Sequence, residues 1–188
     1  MVAYYPGFVS NPNTWFSTLW QDLAWERRPD APRREYWTTL RNQPYTYGRG
    51  AGVRTYAPQP DHALIIEGRN AIAEQYGFLL EGCFLNGYET ARDWLGWHSD
   101  DDPGIDHTKP IAIITVGQGR AIQFRTIIEP FGNGSKGVFG DPETLMLEPG
   151  SLCLMPAGMQ FSHQHRIPKA GMAVKPRISL TYRGLLSQ

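Results

Sequence analysis

The sequence has little charge and no excess of either sign. Charged residues make up 19% of the 188 residues, which argues against a disordered chain or a long-helix protein. Lysine and arginine together number 18, and so do aspartate and glutamate. The chain as a whole is therefore not a polycation, and any contact with nucleic acid must come from a local patch.

Cysteine and long apolar runs are also scarce. Cys83 and Cys153 lie in apolar stretches outside any C-x-x-C motif, which favours buried free thiols in a reducing compartment. The N-terminal residues lack a charged segment followed by an apolar one, and there is no run of about 20 apolar residues. These absences predict a cytoplasmic protein without a signal peptide or membrane span.

The periodic patterns predict an α+β protein. Helical spacing of apolar residues predicts helices over about 13–24 and 61–77, the second ending at Gly77. An initial strand is predicted over 4–9, and a loop over 129–143. Short strands are predicted near 78–88, 96–99, 110–116, 121–128, 144–147, 151–155, 159–165 and 176–184. Two helices before an all-β half favour a double-sheet jelly roll with the helices packed on one side.

An arginine-rich segment lies between the predicted helices. Seven arginines between residues 27 and 54 face two acidic residues, with tyrosine and tryptophan interleaved. Cationic and aromatic side chains together suit a nucleic-acid backbone and its bases. Arginines are also common on ordinary solvated surfaces, so this segment alone leaves both interpretations open.

A histidine and a carboxylate stand two residues apart at His98-Ser-Asp100. Alternate residues of a strand share a face, so both side chains could converge on one point. Together they are two thirds of the 2-His-1-carboxylate set that binds non-heme Fe(II) with open positions. His163 and His165 share a face of a later predicted strand, and either could be the third ligand.

The last predicted strand alternates strictly between polar and apolar side chains. Its polar face consists of Arg177, Ser179, Thr181 and Arg183. Two arginines directed into one buried space need anions, and a dicarboxylate cosubstrate would supply both. The alternative is an edge strand whose polar face meets water.

Taken together, these residues resemble the AlkB-type family of Fe(II)/2-oxoglutarate dioxygenases, in the branch that repairs alkylated nucleic acid. The family signature is His-x-Asp, a distant His and Arg-x5-Arg. It is matched by His98, Asp100, His165, Arg177 and Arg183. In that branch the ligand histidine precedes the first arginine by twelve residues, which selects His165. The resemblance covers about residues 78–184 well and residues 44–47 weakly.

The resemblance implies Fe(II), 2-oxoglutarate as cosubstrate, and O2. Fe(II) would be held by His98, Asp100 and His165, the catalytic centre. The cosubstrate would be contacted by Asn86, Tyr88, Arg177, Ser179, Thr181 and Arg183. Arg177 would bind its far carboxylate with help from Tyr88, whereas Asn86 and Arg183 would lie near the metal. The family often has Asn where this chain has Ser179, which is a shorter donor.

The resemblance also implies a fold and a domain organisation. Residues 1–188 would form one domain, an α+β fold with a double-stranded β-helix (jelly-roll) core over 78–188. The N-terminal helices would pack on one sheet, and residues 1–77 would include a nucleotide-recognition lid. We expect a monomer.

The implied reaction is oxidative demethylation of N-alkylated bases in DNA or RNA, releasing formaldehyde, succinate and CO2. The target base would be flipped or single-stranded to reach the iron. Tyr47 would stack on it opposite His98, and Asp102 would lie by its exocyclic amine. The remaining substrate contacts would be Tyr45 at a phosphate, Tyr36 or Trp37 as a wedge in the base stack, and Arg49.

Two other functions fit the sequence. One is a 2-oxoglutarate-dependent hydroxylase acting on a protein, a small molecule or a modified nucleotide, since the catalytic core alone does not determine the substrate. The other is a non-catalytic β-barrel binding module, against which the complete ligand set and the arginine pair argue.

Overall fold

A computed structural model of the protein describes residues 1–29, 31–48, 52–132 and 135–186. Two α-helices, α1 (Pro12–Asp22) and α2 (Ala63–Tyr76), occur in this part of the chain, with a short 3-10 helix at Met159–Phe161. The strands before the metal-ligand region are β1 (Ala3–Tyr5), β2 (Arg34–Thr39), β3 (Tyr45–Tyr47), β4 (Arg54–Tyr56) and β5 (Gly82–Tyr88). The later strands are β6 (Leu95–His98), β7 (Ile111–Gly117), β8 (Arg120–Gly132), β9 (Ser135–Phe139), β10 (Glu143–Leu147), β11 (Leu152–Met155), β12 (His163–Ile167) and β13 (Arg177–Arg183).

Two antiparallel sheets face each other. The major sheet has the order β1-β11-β7-β13-β5-β2, and the minor sheet has the order β10-β8-β12-β6, with β9 paired to β8. Strands β3 and β4 form a separate hairpin. Some strands that are adjacent in a sheet are far apart in sequence; for example, β13 lies between β5 and β7. Such connections are typical of a double-sheet fold and are consistent with the predicted jelly roll.

The polar and apolar faces of β13 point into different layers. Ile178, Leu180 and Tyr182 are fully buried in one apolar cluster together with Leu19 of α1 and Ile65 of α2. The polar residues of β13 lie on the other face, toward the space between the two sheets. The helices therefore cover the outside of the major sheet, and its inner face is left for a site.

Helix α2 is capped by His62 at its N-terminus and by Gly77 at its C-terminus. The Nδ1 atom of His62 accepts a hydrogen bond from the backbone N–H of Leu64 at 3.1 Å, which satisfies a donor in the first turn. Gly77 ends the helix with φ of 75°, a left-handed conformation that glycine adopts without steric cost. The prediction that this helix ends at Gly77 is confirmed.

The predicted loop over 129–143 is wrong. Strand β8 continues to Gly132 and pairs with β9 through Ile127 opposite Phe139 and Phe131 opposite Lys136. The composition of this segment favoured a loop in the sequence, but β8 and β9 pair as a hairpin whose register shifts between Ile127 and Glu129. The predicted initial strand is also shorter, because Gly7 turns the chain with φ of 69°.

No helix in residues 1–29, 31–48, 52–132 and 135–186 is both long and apolar enough to cross a membrane.

Candidate metal centre and cosubstrate site

Three predicted metal ligands converge between the sheets. Strands β6 and β12 pair with His98 directly opposite His165, and the two ring centroids are 4.1 Å apart. Asp100 follows β6 by two residues, and one ligand atom from each of the three side chains lies within 4.8 Å of the others. Cross-strand pairing thus brings together residues 67 positions apart in sequence, and they form a candidate Fe(II) site of the 2-His-1-carboxylate type.

Backbone and side-chain hydrogen bonds orient this ligand set. The Nδ1 atom of His98 donates to the carbonyl oxygen of Gly96 at 2.8 Å, which leaves Nε2 with its lone pair for a metal. The backbone N–H of Asp100 donates to Oε1 of buried Gln160 at 3.0 Å. Gln160 is a positioning residue that sequence analysis missed, because a single glutamine carries no motif.

The electrostatics favour the protonation states that bind a metal. Burial lowers the pKa of His165 to about 3 and also lowers the pKa of His98, so both imidazoles are neutral at pH 7. Burial alone would raise the pKa of Asp100, but Arg183 and the two histidines outweigh it and hold the pKa well below its usual range. Two neutral imidazoles and a carboxylate are the forms that coordinate Fe(II).

The anion beside Arg183 is Asp100. The Nη2 and Nε atoms of Arg183 lie 2.8 Å and 3.2 Å from Oδ2 of Asp100, and both side chains are buried. The expectation that one dicarboxylate neutralises both arginines is therefore corrected for Arg183, which pairs with a metal ligand instead. This ion pair anchors the carboxylate at the metal end of the site.

Arg177 is buried, and its contacts with the described residues include no anion. It is 0% exposed, and its Nη2 donates to Oγ1 of Thr115 at 3.0 Å. Its Nε and Nη1, and the hydroxyl of Tyr88, have no hydrogen-bond partner in the described residues. Burial lowers the pKa of Arg177 to about 10, so the guanidinium stays charged at pH 7. Unpaired buried donors require an acceptor, and a carboxylate of 2-oxoglutarate fits them.

The other predicted cosubstrate residues surround the same space. Ser179 and Thr181 are on the same face of β13 as Arg177 and are 4% and 5% exposed. Asn86 lies opposite Ser179 on β5, and its Oδ1 accepts a hydrogen bond from Nε of Arg33 at 2.6 Å. The structure thus brings all six predicted cosubstrate residues to the inner face of the major sheet.

One cavity of about 610 Å³ opens beside the metal ligands. Its lining includes His98 and Asp100, together with Tyr45, Tyr47 and Asp102. The hydroxyl of Tyr45 donates to Oδ2 of Asp102 at 2.7 Å, and burial raises the pKa of the Asp102 carboxyl. The cavity has the size of a small-ligand site and combines aromatic walls with a few polar groups.

Three predicted substrate contacts are corrected by burial. Tyr45 is 6% exposed and stacks on Trp37 at 4.8 Å, so its hydroxyl faces Asp102 and is not available to a phosphate. Tyr36 and Trp37 lie on opposite faces of β2 and are 5% and 1% exposed, so neither can act as a wedge. Tyr36 donates to the carbonyl of Pro60, and Trp37 donates to that of Gln43. Arg49 lies outside the described residues.

A buried carboxylate that the sequence did not indicate ties the β3–β4 hairpin to the major sheet. Glu35 of β2 is 0% exposed and accepts hydrogen bonds from Tyr47, at 3.1 Å, and from Tyr56. It also pairs with Nη2 of Arg33 at 2.7 Å. Since Arg33 in turn contacts Asn86, this network connects the hairpin to the cosubstrate face.

Replacing Glu35→Gln is expected to lower the free energy of unfolding by about 3 kcal/mol, because the buried guanidinium of Arg33 loses its counter-ion. Chemical denaturation measures the effect. Glu26→Gln is the matched control, since its carboxylate pairs with Arg28 at 2.6 Å but is 48% exposed. That change should cost less than about 1 kcal/mol. Equal losses in the two variants would mean that the Glu35 network does not hold the hairpin.

Comparison with known proteins agrees with this geometry. The model of the 2OG-Fe(II) oxygenase superfamily matches residues 5–183. The human alpha-ketoglutarate-dependent dioxygenase alkB homolog 3 is 31% identical over 193 residues, covering 97% of this chain and 65% of its own length. DNA oxidative demethylase ALKBH2 of Arabidopsis thaliana is 30% identical over 123 residues, or 58% of this chain and 39% of its own.

The fold has solved counterparts as well. The structure of OsALKBH1 superposes with a TM-score of 0.62 at 13% sequence identity and covers 97% of both chains. The chain thus spans 65% of the length of the human relative and 97% of the solved chain. The family match over nearly the full chain, together with the converging ligand set, shows that this chain belongs to the 2OG-Fe(II) oxygenase superfamily, whose enzymes use Fe(II), 2-oxoglutarate and O2.

Proposed function

We propose that the protein is an oxidative demethylase of N-alkylated bases in DNA or RNA. The observation that carries the proposal is the single cavity that joins His98 and Asp100 to Tyr47 and Asp102. A base that enters it would bring its alkylated nitrogen to the metal ligands, with polar and aromatic groups around its edge and face. The AlkB homolog 3 and ALKBH2 relatives, one of them named a DNA oxidative demethylase, support the same substrate class.

Each residue of the site has a proposed role. His98, Asp100 and His165 would hold Fe(II), and Arg183 would keep Asp100 ionised and oriented through its two nitrogens. Arg177 would bind the far carboxylate of 2-oxoglutarate through its unpaired donors, with the hydroxyl of Tyr88 beside it. Bound Fe(II) with 2-oxoglutarate and O2 supplies the oxidation of a substrate C–H bond to C–OH, with succinate and CO2 as coproducts.

The residues around the cavity would select and orient the base. The hydroxyl of Tyr45 donates a hydrogen bond to one oxygen of Asp102 and so orients that carboxylate. The carboxylate could then accept a hydrogen bond from an exocyclic amine of the base. Tyr47 would stack on the base, and its own ring is held parallel to Tyr56 at 5.7 Å. In the N-hydroxymethyl product, the bond from the ring nitrogen to carbon would then break and return its electron pair to the nitrogen, while the hydroxyl proton leaves to solvent and formaldehyde is released.

Residues 1–77 and 78–188 would act as one domain, because the proposed site needs both. The ligands and the two arginines of β13 lie in the second segment, whereas Arg33, Tyr45 and Tyr47 of the first segment line the cavity. The hairpin network through Glu35 joins the two parts.

The test is a single-turnover assay. Protein loaded anaerobically with Fe(II) and 2-oxoglutarate is mixed with O2 and oligonucleotides that contain N1-methyladenine or N3-methylcytosine, as DNA and as RNA. We expect repaired base, formaldehyde and succinate in equal amounts. Succinate without repair of any oligonucleotide would contradict the proposal and favour a hydroxylase of another substrate. Absence of both iron binding and succinate would instead favour a binding module.

A further inference from the structure

The outer face of the minor sheet carries a cluster of arginine and aromatic side chains. Trp97 lies between two guanidiniums, whose carbons are 4.3 Å (Arg125) and 4.6 Å (Arg166) from the centroid of its ring. Arg125 also lies 3.6 Å from the ring of Phe139, which contacts Phe131 at 5.4 Å. These five residues are called the arginine–aromatic cluster below. Trp97, Arg125 and Arg166 face away from the core residues Ile122 and Phe124 by strand alternation.

In the part of the chain that the structure describes, neither arginine of the cluster has a counter-ion. Nε and Nη2 of Arg125 donate to Oε1 of Gln164 at 3.0 Å and 2.5 Å, and Nε of Arg166 donates to Oε1 of Gln123 at 2.7 Å. No carboxylate of the described residues lies within ion-pair distance of either guanidinium, whereas Arg34 and Arg183 both have one. The guanidiniums of Arg125 and Arg166 lie on either side of the Trp97 indole and, among the described residues, are hydrogen-bonded only to neutral amides. Their like charges therefore favour the binding of an anion between them.

The rings of the cluster are open to solvent and continuous with the active-site cavity. Phe131 is 62% exposed at the end of β8, and Trp97 and Phe139 are half-buried. All three line the same cavity as His98 and Asp100. Exposed phenylalanine rings next to unpaired cations are suited to a ligand that is both flat and anionic.

We infer that the arginine–aromatic cluster binds the single-stranded nucleotides that flank the target base. A phosphate would lie between Arg125 and Arg166, and a neighbouring base would stack on Phe131 or Phe139. Every base has a stacking face, so such a platform is tolerant of sequence. Bases in a duplex are not free to stack on it. The inference rests on the proposed function. It adds to that function a preference for single-stranded over duplex nucleic acid and the surface that determines this preference.

The first test measures binding without turnover. Anaerobic protein with Fe(II) and 2-oxoglutarate is titrated into fluorescein-labelled 12-nucleotide single strands, with and without one N1-methyladenine, and into matched duplexes. The double variant Arg125→Gln, Arg166→Gln is expected to lower the slope of log affinity against log salt by about 0.7, the contribution of one single-strand phosphate. Phe131→Ala should weaken single-strand binding about 5-fold or more and leave duplex binding unchanged.

Two controls match these variants. Ile128→Ala removes an apolar side chain of the same 62% exposure from the same strand, at a position outside the cavity lining. Arg92→Gln removes one charge from an exposed arginine outside the cavity lining and the cluster. Neither should change single-strand affinity by more than twofold. Both control variants should keep the uncoupled formation of succinate, because neither replaces a metal ligand, Arg177 or a residue of the cavity lining.

The outcomes separate this inference from the proposed function. Strand binding that depends on the cluster, in a protein that repairs no methylated base, would support the inference and overturn the proposed function. Repair by the wild type with unchanged binding by the cluster variants would overturn the inference alone. Equal losses in the cluster variants and the controls, or no single-strand binding by the wild type, would also overturn it.

Discussion

Replacing Arg177→Met is expected to weaken the binding of 2-oxoglutarate at least about 30-fold and to leave the cosubstrate-free protein at least as stable as the wild type. The first effect follows because the unpaired Nε and Nη1 donors are the proposed carboxylate ligands. Removing one partner of a buried charged pair typically costs about 2 to 5 kcal/mol, so the dissociation constant should rise at least about 30-fold.

The second effect has the opposite sign for a physical reason. In the cosubstrate-free protein Arg177 is a fully buried cation whose described contacts include no carboxylate. Apolar replacement of buried ionic groups is often neutral or stabilising. The lost hydrogen bond to Thr115 offsets part of the gain, so we expect a free energy of unfolding between unchanged and about 2 kcal/mol higher.

Thermal unfolding with and without 2-oxoglutarate, in the presence of metal, measures both effects. A cosubstrate concentration of 100 times the wild-type dissociation constant should stabilise the wild type by about 2.7 kcal/mol and Arg177→Met by less than about 1 kcal/mol. Arg120→Met is the matched control. Arg120 also lies over Tyr88, but it donates to the carbonyls of Thr90, Asp93 and Pro168.

Those carbonyls would lose their donor, so Arg120→Met should be destabilised yet still be stabilised by 2-oxoglutarate. A destabilised Arg177→Met protein that still binds 2-oxoglutarate with wild-type affinity would contradict the assignment of Arg177 to the cosubstrate.

His165→Ala is expected to eliminate Fe(II) binding, and His163→Ala is expected to preserve it. His165 is 5% exposed and lies opposite His98 with their rings 4.1 Å apart. The Nδ1 atom of His163 instead lies 2.8 Å from Oγ of the neighbouring Ser162, and the described metal cluster does not include it. Losing one of three protein ligands should reduce iron affinity by well over 100-fold, more than the loss typical of an outer-shell partner.

Anaerobic equilibrium dialysis against Fe(II) measures the affinity of both variants directly. Far-ultraviolet circular dichroism on the same samples checks that both remain folded, so that loss of metal is not loss of structure. Wild-type iron affinity in His165→Ala, or its loss in His163→Ala, would show that the third ligand has been assigned to the wrong histidine.

Strand periodicity explains why much of the site could be predicted from the sequence. The alternation in β13 predicts one polar and one apolar face, and the structure places Arg177 and Leu180 in the two corresponding layers. The choice between His163 and His165 did not follow from periodicity, since alternate residues share a face. It needed the resemblance, and the register of β12 against β6 agrees with it.

Features that depend on pairing between distant elements could not be predicted. The partner of Arg183 is set by the turn after β6 that brings Asp100 beneath it, and no local pattern encodes that contact. Tyr36 or Trp37 was predicted as a wedge in the base stack, but β2 pairs with β5 in the major sheet and the core covers both faces of β2. Glu35 and Gln160 belong to no motif, and their importance comes only from burial next to donors whose hydrogen bonds they accept.

The alternation of β13 also restricts how this protein can evolve. A one-residue insertion or deletion between Arg177 and Arg183 would exchange the faces of every residue beyond it. It would move a guanidinium into the apolar layer beneath the helices or a leucine against the metal ligands. Length changes in this strand should therefore be eliminated by selection even where single substitutions are accepted. Natural variation in length should instead occur in the turns, where an inserted or deleted residue does not exchange the two faces of a strand.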